Sequence, residues 1–239
     1  MNCYQYISSP GRKFALLIDP ESMSVHSIIA TIYAANESGV KMILVGGSLL
    51  TDKIDNAIEI IKKHTDLPVI LFPGSLMQLS NKADAILLLS LVSGRNPDYL
   101  IGNHVIAAQY LKSSNLEIIP TGYILIDGGK VSSVEYVSNT KPIPSDKADL
   151  IVATAIASEM LGHKIIYLEA GSGAINSVNV NIIREVRKNV SVPLIVGGGI
   201  ATPNQVNNIF EAGADIVVVG TAVEQDSDKL FTLIRAVQS

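Results

Sequence analysis

The sequence predicts an α/β fold, specifically a TIM (β/α)8 barrel that is irregular or incomplete at its third helix. Eight strand-like apolar runs alternate with helix-like stretches over 239 residues, which is near the size of one such barrel. Hydrophobic residues make up 48% of the chain and Trp is absent, so the core must be mostly aliphatic, as in a parallel sheet covered on both faces. An open doubly wound sheet is the alternative, because periodicity alone does not establish closure.

The first half of the chain supplies four strands. We place them at Phe14–Asp19, Met42–Gly46, Pro68–Phe72 and Ala85–Ser90. Helices are expected near 24–37 and 52–63, after the first and second strands. Only Gly74–Asn81 separates the third strand from the fourth. That link is too short for a full crossover helix, so the barrel should be irregular there.

The second half supplies the other four strands. A helix near Pro97–Lys112 leads to the fifth strand, Glu117–Ile126. Asp127–Lys130 then predicts a turn, from which Val131–Val137 returns as a hairpin arm. A helix near Ser145–Leu161 follows, with Ser145 as its N-cap and Gly162 at its C-terminus. The last strands are Lys164–Glu169, Pro193–Val196 and Ile216–Val219, followed by helices near 178–189, 203–212 and 228–237.

Composition restricts the class of protein and of partner. The formal net charge is −4 and no basic stripe is present, which argues against nucleic acid. Cys3 is the only cysteine, so no intramolecular disulfide forms and a reducing cytoplasm is expected. The apolar run that ends at Asp19 is too short for a signal peptide or a membrane span. Without a linker-like segment, residues 1–239 are predicted to form one domain.

Three glycine-bearing segments follow the last three predicted strands. They are Tyr167–Gly173, Gly197–Gly199 and Gly220-Thr221. The carboxyl ends of barrel strands converge on one face, where the last loops often bind phosphate. Glycine lets the backbone approach a ligand closely, and successive N–H groups can hold a phosphate. Ordinary tight turns are the alternative, but the combination indicates an enzyme acting on a phosphorylated substrate.

Polar side chains at strand ends supply candidate chemistry. Glu169 can accept a proton from a substrate hydroxyl; a salt bridge or helix cap is its alternative role. Asp19 is a natural oxygen ligand for Mg²⁺, or else an N-cap or turn carboxylate before Pro20. The Ser48 hydroxyl can join the metal shell or cap a helix. Tyr167 lies beside the glycines, but it can equally be a packed barrel aromatic.

The segment after the fourth strand is less specific. Arg95 can bind phosphate or diphosphate, and a surface ion pair is the alternative. His104 fits a hydrogen-bonded helical histidine better than a base, and contact of either residue with diphosphate stays open. Apolar residues of 91–111 can line a groove or simply pack on the barrel. Zinc-ligand spacing, a Walker motif and a nucleophile elbow are absent from the sequence.

Several of these motifs together resemble the geranylgeranylglyceryl phosphate synthase family, whose relatives include the heptaprenylglyceryl phosphate synthases. The motifs are Leu-Ile-Asp-Pro, Gly-Gly-Ser, Ser-Gly-Arg-Asn-Pro, Tyr-Leu-Glu-Ala-Gly-Ser-Gly and Val-Gly-Gly-Gly-Ile, in that order along the chain. The resemblance implies a modified TIM barrel without a normal third helix. It also implies a Mg²⁺-dependent enzyme that joins sn-glycerol 1-phosphate to a polyprenyl diphosphate, with geranylgeranyl diphosphate as the expected donor, to form a prenylglyceryl phosphate ether and diphosphate.

The resemblance also assigns residues. Asp19 and Ser48 would bind Mg²⁺. Because the attacking group of this reaction is a neutral alcohol, Glu169 at its strand end is our hypothesis for the catalytic base. Some relatives have Asn at the position of Thr221, which can still donate a hydrogen bond. The residues that would bind glycerol phosphate are Tyr167, Leu168, Glu169, Ala170, Gly171, Ser172, Gly173, Gly198, Gly199, Gly220 and Thr221.

Two other functions stay open. One is an isomerase or aldolase of another small phosphorylated metabolite, although no predicted strand ends in Lys, which counts against Schiff-base chemistry. The other is a non-catalytic barrel that binds such a metabolite. We expect a homo-oligomer, for which Asp127–Val137 is a candidate interface, and transient contact with a membrane surface for a lipid product.

Overall fold

A computed structural model describes residues 2–47, 54–224 and 228–235. Eight parallel strands close a barrel in chain order, because β1 pairs with both β2 and β8. This confirms the TIM barrel and excludes the open doubly wound sheet. The strands are β1 Lys13–Ile18, β2 Met42–Val45, β3 Val69–Leu71, β4 Ala85–Leu91, β5 Glu117–Leu125, β6 Ile165–Glu169, β7 Leu194–Gly197 and β8 Ile216–Val219.

Helices surround the barrel. They are α1 Cys3–Ser8, α2 Val25–Ser38, α3 Ile54–His64, α4 Asn103–Ser113, α5 Ser133–Ser138, α6 Ala148–Met160, α7 Val180–Asn189, α8 Pro203–Glu211, α9 Thr221–Glu224 and α10 Asp228–Arg235. A π-helical turn, Asp98–Gly102, leads directly into α4. Within the described residues no helix combines the length and apolarity needed to cross a bilayer.

Side chains of each strand alternate between two apolar layers. In β1, Ala15 points into the barrel, while Phe14 and Leu16 pack in the layer between sheet and helices. Met42 and Leu44 of β2 likewise point inward. Both layers consist mostly of Ile, Val, Leu and Ala, so the strands read as continuous apolar runs. This is the pattern of a sheet buried on both faces.

The third helix is missing, as predicted. Between β3 and β4 lies only a short 3₁₀ turn, Leu76–Gln78. The Gln78 side chain in this turn is fully buried and holds the link in place by hydrogen bonds. Its Oε1 accepts hydrogen bonds from the N–H groups of Gly74 and Gly47, and its Nε2 donates to Gly47 O at 2.6 Å. The carboxyl end of β2 is thereby fixed to the link.

Helix α1 covers the amino end of the barrel. Ile7 lies in the interior apolar layer and is 1% exposed. The Glu117 carboxylate, at the start of β5, accepts hydrogen bonds from the N–H groups of Cys3 and Tyr4. The N–H groups of a first helical turn have no acceptor within the helix, and here Glu117, more than 110 positions away in sequence, accepts from two of them. The carboxyl end of the barrel faces the opposite way, toward the predicted site.

Two local predictions are wrong. Val131–Val137 is not a hairpin arm, because residues 133–138 form α5, with Ser132 as N-cap accepting from Glu135 N–H at 3.2 Å. Ser145 is not an N-cap either, since α6 begins later, after Lys147. Gly162 does follow α6 with φ +92°, as its position predicted.

Candidate active site

Glu169 ends β6 and points into the barrel, on the same side as Tyr167 two residues earlier. Its side chain is buried, with 6% exposure. Three aromatic rings form a layer in this part of the barrel. The Tyr167 ring stacks on Phe72 at 5.1 Å between centroids and lies 5.4 Å from Tyr123. The carboxylate therefore lies against hydrocarbon rather than water.

This environment changes the acidity of Glu169. Burial raises its pKa from 4.5 to about 7, against a smaller lowering by the Gly171 N–H and the Tyr167 hydroxyl. The Gly171 N–H donates to Oε1 at 2.7 Å. The Tyr167 hydroxyl is buried beside the carboxylate without reaching full hydrogen-bond geometry with any group of the described residues. A carboxyl with a pKa near neutrality is suited to exchanging a proton with a substrate.

Glycines at the end of β7 make room for this carboxylate. A Cβ atom on Gly197 would lie 2.5 Å from the Tyr167 hydroxyl and 2.9 Å from Glu169 Oε2. On Gly198, whose φ is +84°, it would lie 2.3 Å from Glu169 Oε1 and 2.7 Å from Gly171 N. No other residue fits Gly198 without moving the carboxylate, and positive φ disfavours any side chain there.

The three glycine-bearing loops meet at this point. Ala170 N–H donates to Gly197 O at 3.1 Å, which joins the loop after β6 to the end of β7. The hydroxyl groups of Ser172 and Thr221 are hydrogen-bonded at 3.0 Å, which joins the same loop to the end of β8. These hydrogen bonds confirm the prediction that the three segments lie together at one end of the barrel.

The predicted phosphate-binding residues differ in whether their backbone N–H groups already donate a hydrogen bond within the protein. The N–H groups of Ala170 and Gly171 are used internally, by Gly197 O and by Glu169. The Leu168 side chain points away, into the layer between sheet and helices. Six further N–H groups donate no hydrogen bond to any part of the chain that the structure describes. They belong to Ser172, Gly173, Gly198, Gly199, Gly220 and Thr221.

Sequence reasoning missed a fourth loop, which follows β5. Gly128 O accepts hydrogen bonds from the N–H groups of Ile175 and Asn176, both at 3.0 Å. A Cβ atom on Gly128 would lie 2.3 Å from Ala170 O. The Asp-Gly-Gly-Lys sequence was the available signal, but it was assigned to a hairpin turn. Its glycines instead allow residues 127–130 to pack on the loop after β6.

Asp19 lies at the carboxyl end of β1 and is half-buried. Burial raises its pKa, the hydrogen bond from Glu21 N–H (3.1 Å) lowers it, and the charge of Glu21 raises it. Burial also raises the pKa of Glu224, and the charge of Asp19 adds to that effect. Asp19 therefore serves as a turn carboxylate, and it shares its surroundings with a second acid.

These residues fit a magnesium ion held mostly by substrate and water. The charge of Asp19 raises the pKa of Glu224, and a cation beside them would stabilise both carboxylates. Mg²⁺ commonly takes one or two protein carboxylates. A group of three or more His, Cys, Asp or Glu placed for a metal is not found in residues 2–47, 54–224 and 228–235. Ser48, the other predicted ligand, lies outside the described residues.

An apolar cleft opens between the short β3–β4 link and α4. Tyr123 belongs both to its wall and to the aromatic layer beneath Glu169. Part of the predicted 91–111 segment does line it. The lining is Pro73, Gly74, Ser75, Leu76, Leu79, Ile86, Leu88, Leu89, Leu91, Tyr99, Asn103, His104, Ala107 and Tyr123.

Arg95 and His104 face different surroundings. Arg95 donates to the carbonyls of Gly94 (2.8 Å) and Val92 (3.4 Å), makes no ion pair with a described residue, and borders a separate polar cleft with Asn139 and Thr140. His104 lines the apolar cleft, where its Nε2 is 3.2 Å from the Ser90 hydroxyl. Burial lowers the pKa of His104, against a smaller rise from a hydrogen bond with the Leu89 backbone, which favours the neutral ring.

Comparison with known proteins gives a consistent result. Residues 9–238 match the model of the PcrB family. The chain is 49% identical over 230 residues to the geranylgeranylglyceryl phosphate synthase of Spirosoma linguale, covering 95% of this chain and 92% of that protein. It is 41% identical to the protein of that name from Methanosphaera stadtmanae, covering 95% of each.

Solved structures give the same picture. The crystal structure of (S)-3-O-geranylgeranylglyceryl phosphate synthase from Thermoplasma acidophilum, in complex with its substrate sn-glycerol-1-phosphate, matches with a TM-score of 0.94 at 34% identity. The match covers 99% of this chain and 98% of that one. An N-acetylmannosamine-6-phosphate 2-epimerase from Clostridium perfringens matches at 19% identity, with a TM-score of 0.62 and coverage of 97% and 96%, which shows the barrel fold alone.

Proposed function

This chain belongs to the PcrB family, and on that premise we propose that it is a prenyltransferase that joins sn-glycerol 1-phosphate to a polyprenyl diphosphate. The products are a prenylglyceryl phosphate ether and diphosphate, and geranylgeranyl diphosphate is the proposed donor. The names of the similar proteins from Spirosoma and Methanosphaera support this reaction. The substrate bound in the Thermoplasma structure supports glycerol phosphate as the acceptor.

The observation that carries the proposal is the set of six unused N–H groups beside Glu169. Two of these residues, Ser172 and Gly173, are exposed and the other four are partly buried. Their N–H groups are therefore open to a ligand, and a phosphate dianion offers several oxygens to such a set of donors. Held there, the acceptor would place a glycerol hydroxyl within reach of the Glu169 carboxylate. Fixing the two groups in this way turns a bimolecular encounter into an oriented one.

The apolar cleft is the proposed site of the prenyl chain. Hydrocarbon gains about 0.8 kcal/mol per buried methylene, and leucines dominate the wall of this cleft. Because Tyr123 contacts both the cleft and the layer under Glu169, a donor entering from the cleft would meet the acceptor near that carboxylate. The hydroxyl oxygen would then bond to the first prenyl carbon while the bond between that carbon and the diphosphate oxygen breaks. The hydroxyl proton would pass to Glu169.

We propose that Asp19 and Ser48 hold Mg²⁺ in this reaction. Bound there, the ion would neutralise the charge that develops on the departing diphosphate. The half-buried Asp19 carboxylate, with Gly47 packed against it, supports this role. The ion would also relieve the repulsion between Asp19 and Glu224 that raises the pKa of Glu224.

Labelled sn-glycerol 1-phosphate tests the reaction directly. The purified protein is incubated with it and with prenyl diphosphates of graded length, with MgCl₂ or with EDTA. We expect an ether product that depends on Mg²⁺, and little product from sn-glycerol 3-phosphate. Binding of glycerol phosphate without turnover on any donor would instead support a non-catalytic barrel. Absence of binding would contradict both the prenyltransferase and the non-catalytic barrel.

Three further properties belong to this proposal. A one-domain cytoplasmic enzyme would make its lipid product in water and release it by transient contact with a membrane surface. A homo-oligomer remains our expectation, and the segment 127–137 remains its candidate interface. Light scattering of the purified protein measures the oligomeric state, and a monomeric mass at assay concentration would contradict that expectation.

A further inference from the structure

We infer that Lys130, on the loop after β5, supplies the positive charge that selects a phosphorylated acceptor. This inference deepens the proposed function and rests on it, since the anion in question is the phosphate of glycerol phosphate. The loops after β6, β7 and β8 offer only neutral N–H and hydroxyl donors. Lys130 would add the one ionised donor to that set.

The position of Lys130 is the first support. Its Nζ lies 3.2 Å from the place where a Cβ atom on Gly173 would be. Gly173 carries one of the six unused N–H groups and follows Ser172, whose hydroxyl joins the β6 and β8 loops. The ammonium group is thus over the loop that is proposed to hold the phosphate.

The loop that carries Lys130 is rigidly attached to the phosphate loop, which is the second support. Gly128 O accepts two hydrogen bonds from residues 175 and 176, and Gly128 packs against the Ala170 carbonyl. Two residues after Lys130, Ser132 packs on Gly171, where a Cβ atom would come within 2.8 Å of Ser132 Cβ. These contacts fix the backbone on both sides of Lys130, so the loop itself need not be ordered when an anion binds and only the side chain loses freedom.

The charges nearby are the third support. The Lys130 ammonium makes no ion pair with any acid in the part of the chain that is described, while Glu169, Asp19 and Glu224 all lie at the carboxyl end of the barrel. A phosphate dianion would be repelled by those carboxylates unless a cation offset them. Lys13, Lys41 and Lys164 cannot do so, because they begin or precede strands and lie at the amino end.

A cation in this place acts on binding rather than on chemistry. The phosphate carries the same charge before and after the ether bond forms, so its contact with Lys130 is equal in the ground state and the transition state. We therefore expect Lys130 to lower the KM for glycerol phosphate and to leave kcat nearly unchanged. Arg, which keeps the charge and the reach, should largely replace it.

The test compares Lys130→Met, Lys130→Arg and the control Lys188→Met. Lys188 is an exposed lysine in the last turn of α7, paired with Glu185 at 2.7 Å, away from the carboxyl end. Calorimetry measures binding of sn-glycerol 1-phosphate and of inorganic phosphate, and steady-state assays separate KM from kcat. Since Lys130 is exposed, all three variants should fold, which thermal unfolding checks.

We expect Lys130→Met to weaken binding of both anions by about tenfold, the loss of one charge-assisted hydrogen bond at an exposed site. The kcat and the KM for the prenyl donor should stay within about twofold, and added salt should weaken wild-type binding more than the variant's. Lys130→Arg should retain most of the affinity, and Lys188→Met all of it.

Unchanged affinity in Lys130→Met, or an equal loss in Lys188→Met, would overturn the inference. A fall in kcat at constant KM would also do so. The outcomes also separate this inference from the proposed function. If the wild type binds phosphate and does not transfer a prenyl group, the proposed function fails while Lys130 is still judged by the binding arm; if it binds neither anion, both fail.

Discussion

The two sides of this barrel that we propose as substrate sites are lined by opposite kinds of group. On the acceptor side, after β6, β7 and β8, the lining is backbone, and Gly171, Gly173, Gly198 and Gly199 all have positive φ. On the donor side, between the β3–β4 link and α4, the lining is apolar side chains and the backbone is irregular, with a 3₁₀ turn and a π-helical turn.

The difference follows from what each ligand requires. An anion is held by dipoles whose interaction energy depends steeply on position, so each N–H must be fixed, and glycine is the residue that adopts the required positive φ values most readily. A hydrocarbon chain needs removal from water and enough room, which many combinations of leucine side chains provide. The positive-φ glycines of the acceptor side should therefore tolerate almost no substitution, and the donor side should change its selectivity gradually.

The largest expected effect is at Glu169, which lies between the two sides. Glu169→Gln keeps the shape but removes the base, so turnover with both substrates saturating should fall by about 10²–10⁴-fold. In the wild type, turnover should rise with pH through about 7, where the carboxyl ionises. The control is Glu211→Gln, at the exposed end of α8. Equal turnover of Glu169→Gln and wild type would eliminate the role.

A second prediction compares a glycine that leaves no room for a side chain, Gly198, with one that does, Gly220. Gly198→Ala places a methyl group 2.3 Å from Glu169 Oε1 at φ +84°, so kcat/KM for glycerol phosphate should fall by roughly a hundredfold. At Gly220 a Cβ atom meets Leu17 at an ordinary 3.4 Å. Gly220→Ala keeps its N–H and should stay within about threefold of wild type. Steady-state kinetics measures both, and similar losses would contradict the distinction.

A third prediction concerns stability, and its sign follows from the raised pKa. With a pKa of 4.5 in the unfolded chain and about 7 in the folded one, ionisation of Glu169 opposes folding. The penalty is absent below pH 4.5, grows between 4.5 and 7, and reaches about 3 kcal/mol above that.

Glu169→Gln removes this dependence. Its free energy of unfolding, relative to wild type, should increase by up to about 3 kcal/mol between pH 4.5 and pH 8.5. Urea unfolding across this range measures the difference. A constant difference between the two proteins would mean that Glu169 is not held in a desolvated site.

The smallest effect is expected on the donor side. Ala107 is 3% exposed and lines the cleft. Ala107→Leu should displace about two prenyl carbons and raise the KM for geranylgeranyl diphosphate about tenfold. The KM for shorter donors and for glycerol phosphate should change little. Val105→Leu, on the exposed side of α4, is the matched control. A change in the KM for glycerol phosphate in Ala107→Leu would show that the two sides do not act independently.

The sequence predicted the elements whose signal is local. Apolar runs bounded by turn residues located all eight strands to within one or two residues, and Thr202-Pro203 located the start of α8, where Thr202 caps Gln205 N–H. The glycine segments predicted which loops would meet, because strand order alone brings the ends of β6, β7 and β8 together.

Features that depend on distant contacts were not predictable in this way. Helix α1 is too short to show periodicity, and its N–H groups are satisfied by Glu117, far along the chain. The Asp-Gly-Gly-Lys loop carries a generic turn sequence, and only the packing of Gly128 on Ala170 shows what it contacts. Gln78 lies in a short link without a periodic pattern, and its burial also depends on the closed barrel.

Amide chemical shifts test the central claim most directly. On titration of ¹⁵N-labelled protein with sn-glycerol 1-phosphate, the amide signals of Gly173, Gly198, Gly199 and Thr221 should move and saturate together, while Gly39 and Gly162, in turns after α2 and α6, stay in place. Saturable shifts confined to the polar cleft of Arg95 and Asn139, with those four amides unmoved, would contradict the account.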